Sequence, residues 1–362
     1  MMSDIKRFMR PELNKFAGYA ACKSPEALDE ETRRMGILKL DANENVYGPS
    51  PRVKAAFASF EDYHIYPDSC QTELRKALAG YTGVAAEHIV AGSGSDQLID
   101  LLVRLFVNPG DEVLSFTPTF AMYKFFTELA GGKFVAVPRD ENYNVVLDGL
   151  PRALTPKTKL IFIAMPNNPT GTQVPVEVVM KLIETGLPVV VDEAYYEFTG
   201  QTLADALDLF PNLMILRTFS KWAGLAGLRV GYGLFPHAVA ERLDALKDPY
   251  CVNSAAVVAA RESLKDVDYL MHKVNLIVGE RDRLFDALTQ IDYLKPYPSS
   301  ANFILCKVTG KIALDIQLKL ERRGILVRYF NSPQMENSLR FSIGRPQDTD
   351  RLITELQRIG EI

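Results

Sequence analysis

Arg217-Thr218-Phe219-Ser220-Lys221-Trp222-Ala223-Gly224-Leu225-Ala226-Gly227-Leu228-Arg229 is the stretch on which the reading of this chain turns. The apolar run before it, Leu213 to Leu216, predicts a strand that delivers Lys221 into a loop of glycine and small residues. Arg229 follows eight residues after the lysine. A lysine with a hydroxyl beside it and a guanidinium close by suits an amine that forms a Schiff base with a phosphorylated aldehyde. Taken alone, a Ser-Lys pair is an ordinary solvated loop. Its surroundings give it meaning.

Working outward, Leu160 to Ala164 and Val189 to Val191 are further short, continuous apolar runs. Such runs predict strands buried on both faces of a mainly parallel sheet, with helical segments such as Val176 to Glu184 between them. Upstream, His88 to Ala91, Asp111 to Phe116 and Lys133 to Val137 read as strands. Gly92 to Asp96 reads as a turn, and Gln97 to Val107 and Phe120 to Ala130 as helices. Downstream, Arg229 to Leu234 is expected to be a strand and His237 to Leu246 a helix. The character changes near Asp248-Pro249. Ser254 to Leu288 reads as one long amphipathic connector, followed by strands at Asn302 to Val308, Leu326 to Tyr329 and Leu339 to Ile343. Helices are expected at Ile312 to Arg323 and Thr349 to Ile359. The fold class is α/β: a large domain with a central sheet between helices, plus a small α+β C-terminal domain. The expected division is an N-terminal arm at 1–36, a large domain at 37–250 and a small one at 251–362.

Bulk properties exclude other classes. The 362 residues are 47% hydrophobic, enough for a sizeable core, and the net charge of −4 gives no reason to expect nucleic acid or an anionic membrane as partner. No apolar run approaches the ~18 residues that span a bilayer. Cys22, Cys70, Cys251 and Cys306 lie far apart, without zinc-type spacing, and read as reduced thiols. Met1 to Phe16 lacks the apolar core of a secretory signal. A cytoplasmic protein with no metal site is expected.

In an open α/β sheet, ligands sit beyond the carboxyl ends of the strands. Four loops there carry polar residues that fit one cofactor. Gly92-Ser93-Gly94-Ser95-Asp96 offers backbone N–H groups and a helix N-terminus to a phosphate, although it is neither a dinucleotide fingerprint nor a GxxxxGK[ST] loop. Asn168, in Pro166-Asn167-Asn168-Pro169-Thr170-Gly171, can aim its amide at a ring oxygen, or simply form an Asn-Pro turn. Asp192 ends a fully apolar strand, where an acid is costly unless paired. A pyridinium nitrogen would pair it, and Tyr195 could reach the ring's phenolic oxygen; the alternative is a helix-capping Asp. The fourth loop holds Lys221, with Ser220 and Arg229 as phosphate ligands.

The order of these four loops resembles the pyridoxal-phosphate aminotransferases of fold type I. Leu40-Asp41-Ala42-Asn43-Glu44-Asn45, Tyr66-Pro67-Asp68, the 92–96 and 166–171 loops and Arg217 through Tyr232 resemble the histidinol-phosphate aminotransferase family more closely. Pro298 to Cys306 and Leu339 to Gly344 extend the likeness. The resemblance implies a pyridoxal 5'-phosphate enzyme that transfers the amino group of histidinol phosphate to 2-oxoglutarate. It implies Lys221, Asp192 and Tyr195 as catalytic residues. Cofactor contacts are implied for Ser93, Gly94, Ser95, Asp96, Asn168, Thr218, Ser220 and Arg229, with Phe120 stacked on the ring. Tyr66 would reach the phosphate of the partner subunit in a homodimer. Tyr19, Asn43, Asn168, Arg328 and Arg340 would contact substrate, the two arginines holding its anionic group. Phe120, Trp222 and Gln97 depart from the residues common in that family, Trp222 reading as a packing residue. An aromatic amino-acid aminotransferase or a threonine-phosphate decarboxylase would carry nearly the same cofactor residues. The intact Lys221 and Asp192 argue against a non-catalytic binder.

Overall fold

The computed structural model describes residues 5–16, 18 and 22–361. Its strands, in chain order, are β1 (Leu38–Leu40), β2 (Ile89–Gly92), β3 (Glu112–Thr117), β4 (Lys133–Pro138), β5 (Thr158–Ala164) and β6 (Val189–Asp192). They continue with β7 (Leu213–Thr218), β8 (Gly231–Leu234), β9 (Leu294–Pro296), β10 (Phe303–Val308), β11 (Ile325–Phe330) and β12 (Ser338–Ser342). Seven of them form the larger sheet in the order β2-β8-β7-β6-β5-β3-β4, and all are parallel except β8, which runs against both neighbours.

The continuous apolar runs are explained by what covers this sheet. Ile161, Ile163, Val189, Val191, Leu213 and Ile215 point into one core. Leu160, Phe162, Val190, Met214 and Leu216 alternate with them into another. Both faces are dry, so neither can carry a polar alternation. Chemistry is therefore left to the strand ends.

The smaller sheet has the order β1-β11-β12-β10-β9. Its first strand corrects the expected domain division. Leu38, Lys39 and Leu40 pair in parallel with Ile325, Leu326 and Val327, so residues 38–40 belong to the small sheet rather than the large unit. The chain starts in one sheet, crosses at Asp41 to Asn45, and builds the other.

Several boundaries also differ from expectation. The connector is two helices, Ser254–Leu264 and Val267–Thr289, with Asp266 between them. Asp266, with φ −132° and ψ 34°, leaves the helical conformation where no Gly or Pro marks a break, and its carboxylate accepts a hydrogen bond from the Ser50 hydroxyl. The helix after β2 begins at Gly94, so Ser95 and Asp96 lie in its first turn rather than in a preceding loop. Gly94 has φ +72°, a value that favours glycine, and a side chain on Gly231 would collide with the backbone of Gly94 and Ser95. Helix N-terminus and β8 thus meet backbone to backbone beside the lysine loop.

Candidate active site

One cavity of about 980 Å³ opens at the carboxyl ends of β2, β5, β6 and β7. Its wall brings together Lys221, Asp192, Tyr195, Asn168, Phe120, Thr218, Ser220, Arg229, Ser95 and Asp96, along with Asn43, Arg328 and Arg340 from the small-sheet side. Thirteen of the residues singled out from sequence therefore face one space. Ser93 and Gly94 lie next to that wall in sequence but do not line it. The Ser93 N–H donates instead to Gln97 Oε1 at 2.7 Å, so Gln97 occupies one amide of the supposed phosphate cradle. Tyr66 also lies outside the cavity: it is 76% exposed and stacks on Tyr250 with ring centroids 4.5 Å apart. Tyr19 lies outside the described residues.

Lys221 hangs from the end of β7 and donates from Nζ to the Ala42 carbonyl at 3.0 Å. Burial, together with the nearby Arg340 cation, lowers its pKa to about 8, so near neutrality a useful fraction of the amine is uncharged. Asp192 ends β6 and is buried. Burial raises its carboxyl to about 6 despite a 2.5 Å hydrogen bond from the Tyr123 hydroxyl and one of 3.1 Å from the Ala194 N–H. Both of those donors are neutral. Tyr123 was missed in the sequence because it sits in the apolar helix Ala121–Leu129 and reads as core; it is fully buried and stacks on Phe162 at 4.6 Å.

Three features gather at the end suited to an anion. The helix Gly94–Phe106 points its N-terminus there, contributing a positive partial charge. Ser220 and Thr218 share a 3.0 Å hydrogen bond on the wall. Arg229 stands beside them with an exposed guanidinium, held at 2.8 Å by Asp96. Across the cavity, Arg340 is buried and donates to Asn168 Oδ1 at 2.6 Å and to the Asp41 carbonyl at 2.7 Å. Arg328 donates to Cys22 Sγ at 3.5 Å. Two cationic side chains thus line the small-sheet side of the cavity that Lys221 also lines.

Asn43 reaches the cavity wall from the crossing segment. It is buried, and its side chain is engaged by Tyr195 and Ser342. Trp222 packs as expected: fully buried and stacked on Tyr81 with centroids 5.5 Å apart. Its carbonyl accepts from Asn45 Nδ2 at 2.7 Å, which ties the lysine loop to the crossing segment.

An amine of lowered pKa, a buried acid and arginines from both sheets thus share one cavity at the carboxyl edge of the large sheet. Comparison with known proteins gives the class: residues 36–356 match the family model for aminotransferase class I and II, and the chain belongs to that family. Histidinol-phosphate aminotransferase of Dehalococcoides mccartyi is 57% identical over 361 residues, covering all of both chains. The chloroplastic enzyme of that name from Nicotiana tabacum is 42% identical over 96% of this chain and 85% of its own. A crystal structure of histidinol-phosphate aminotransferase from Sinorhizobium meliloti in complex with pyridoxal-5'-phosphate superposes with a TM-score of 0.88. It is 29% identical and is covered over 99% of its length by the whole of this chain.

Proposed function

We propose that this chain is a pyridoxal-phosphate-dependent transaminase that takes the amino group of histidinol phosphate and passes it to 2-oxoglutarate, releasing imidazole acetol phosphate and glutamate. The observation that carries the proposal is the joint placement of Lys221, Asp192, and Arg340 on one cavity wall. Full-length identity of 57% to a relative of that name supports the choice of substrate.

The residues present fit the cofactor. Asp192 is a buried acid whose two hydrogen-bond donors are neutral, which is the environment a protonated ring nitrogen would complete. Phe120 offers an aromatic face, and Asn168 and Tyr195 offer polar groups for a ring oxygen. Ser95, Thr218, Ser220 and Arg229 would hold the phosphate. When bound, pyridoxal phosphate supplies an electrophilic carbon and an electron sink.

The chain's own residues do the rest. Lys221 Nζ, favoured in its neutral form by burial, can take the proton from the donor's Cα and give one back. Asp192 stays anionic against a cation and so keeps the ring nitrogen protonated. Arg340, with Arg328, holds the donor's phosphate or the acceptor's carboxylate, which points the reacting carbon at Lys221. One clamp serving two anions permits both half-reactions in a single site.

The proposal includes a cytoplasmic homodimer. Tyr66 and Tyr250 form an exposed aromatic pair outside their own chain's cavity, as expected if Tyr66 completes the phosphate site of a partner subunit. A division into an arm, a large unit and a small one is retained, with residues 38–40 assigned to the small unit.

The test adds single amino donors to the cofactor-loaded enzyme without keto acid and follows cofactor absorbance. Fast conversion by histidinol phosphate and slow conversion by histidinol is expected, with none in Lys221→Ala. Faster conversion by phenylalanine would replace the assignment with an aromatic aminotransferase, and carbon dioxide release from threonine phosphate with a decarboxylase.

A further inference from the structure

The crossing segment that corrects the domain boundary also holds a hydrogen-bond chain whose polarity is fixed. Asn43 has φ +56°, a left-handed backbone that asparagine tolerates better than most residues. That twist aims its backbone N–H at Ser342 Oγ, 2.8 Å away on β12. A backbone N–H only donates, so Ser342 accepts there, and its own hydrogen goes to Asn43 Oδ1 at 2.9 Å. With Oδ1 assigned, the other end of the amide must be Nδ2, and it donates to the Tyr195 hydroxyl oxygen at 2.9 Å. The reverse amide orientation would place two donors on Ser342 Oγ and deprive its hydrogen of this acceptor. All three residues are buried, where such a mismatch leaves a polar hydrogen without an acceptor and out of reach of water. The Asn43 carbonyl is fixed too, accepting from Asn302 Nδ2 at 3.0 Å.

We infer that Asn43 and Ser342 are positioning residues that oblige Tyr195 to act as a hydrogen-bond donor toward the cavity, and so to stabilise negative charge on the bound ring's oxygen. This rests on the function proposed above. The reasoning is one of direction: an oxygen that accepts from Asn43 spends its hydrogen on a different acceptor, and Tyr195 lines the cavity. Ser342 lies two residues along β12 from Arg340, which donates to Asn168. One strand of the small sheet therefore stands behind both polar groups offered to the ring oxygen.

A donor to an anionic oxygen favours the more negative form of the chromophore, so weakening it raises the pH at which the bound cofactor loses its proton. Asn43→Asp keeps the shape and the left-handed backbone but replaces the donor with an acceptor, turning the Tyr195 hydrogen away from the cavity. Ser342→Ala is the neutral companion and frees the amide to rotate. The experiment is a spectrophotometric pH titration of the cofactor-loaded enzyme, for each variant alone and in the Tyr195→Phe background. Both should raise the midpoint in the native background, Asn43→Asp by about one pH unit and Ser342→Ala by less. In Tyr195→Phe, whose midpoint is itself raised, Ser342→Ala should add nothing, and Asn43→Asp should add only the smaller effect of its charge. Equal shifts of Ser342→Ala in both backgrounds, or no shift in the native one, would overturn the inference while leaving the proposed function standing. A native protein with no cofactor absorbance at all would overturn both.

Discussion

Asp192 ends β6 and Glu193 follows it; both are buried, yet their surroundings differ in kind. Glu193 meets a full complement of partners. Arg217 Nε and Nη2 reach its Oε2 at 3.0 and 2.9 Å, Thr202 donates at 2.8 Å and the Leu203 N–H at 2.8 Å. Arg217 is in turn held by Thr202 and lies 3.8 Å from the Tyr196 ring centre. Burial alone would lower the pKa of Arg217, but Tyr232, Glu193 and Glu197 raise it, so the cation persists. Burial raises both carboxyls, but Glu193 has Arg217 against it, whereas Asp192 meets only Tyr123 and one amide and is held near 6. A charge matched on the spot is structure. A charge left for something else to match is a site, and its cost is carried by the rest of the fold.

Each arm of that contrast can be broken separately. The largest effect should come from the open side: Lys221→Ala should lower turnover by at least about 10³-fold. Its thermal unfolding should stay at or above the native value, because a desolvated amine is removed. On the closed side, Arg217→Met should cost about 3–5 kcal/mol in urea unfolding of the cofactor-free protein, since Glu193 and Glu197 lose their cation. Adding Glu193→Gln should recover part of that loss, as expected for coupled neighbours.

Smaller effects sharpen the same picture. Lys221 titrates as a base whose pKa is lowered to about 8, so it is mostly neutral above that pH and mostly charged below it. The rate at which cofactor-free protein reacts with pyridoxal phosphate should therefore rise through a midpoint near 8. Arg340→Gln removes a nearby positive charge and should move that midpoint upward, a shift visible by stopped-flow absorbance. Tyr123→Phe removes a hydrogen bond that lowers the Asp192 pKa, so Asp192 should stay protonated to higher pH. Cofactor affinity, read by equilibrium dialysis, should fall by roughly tenfold or less, the worth of one hydrogen bond.

How much of this was legible in the sequence follows from the same physics. Asp192 and Lys221 could be found because each follows a continuous apolar run, where only an end position or a partner makes a charge tolerable; Asn168 was marked by its Asn-Pro turn, and Arg340 by the family resemblance. Tyr123 could not, since its hydroxyl is one atom on a ring that otherwise satisfies the core. The membership of β1 was hidden because three residues carry no pairing signal, and their partners lie almost 290 positions away, Leu38 opposite Ile325. The hydrogen-bond partners of Asn43 were hidden for a related reason: Tyr195 and Ser342 come together with it only when both sheets are built. Gln97 was singled out as a departure, but its bond to the Ser93 amide depends on where the helix begins.

The central claim is that Asp192 is a buried carboxylate with only neutral partners in the fold, whereas Glu193 is paired with Arg217. Its direct test is thermal unfolding at pH 7 of cofactor-free Asp192→Asn and Glu193→Gln beside the native protein. The folded Asp192 carboxyl, near 6 against an ordinary 3.8, binds its proton more tightly than the unfolded one. Its contribution to stability therefore falls as pH rises through that window, and at pH 7 the cost is fully present. Asp192→Asn should relieve it and melt higher than the native protein, by an amount on the order of 1–3 kcal/mol, while binding pyridoxal phosphate far more weakly. Glu193→Gln should melt lower, because it leaves Arg217 buried beside a neutral amide. If Asp192→Asn melts lower by as much as Glu193→Gln, the two acids are alike, and Asp192 is structural after all.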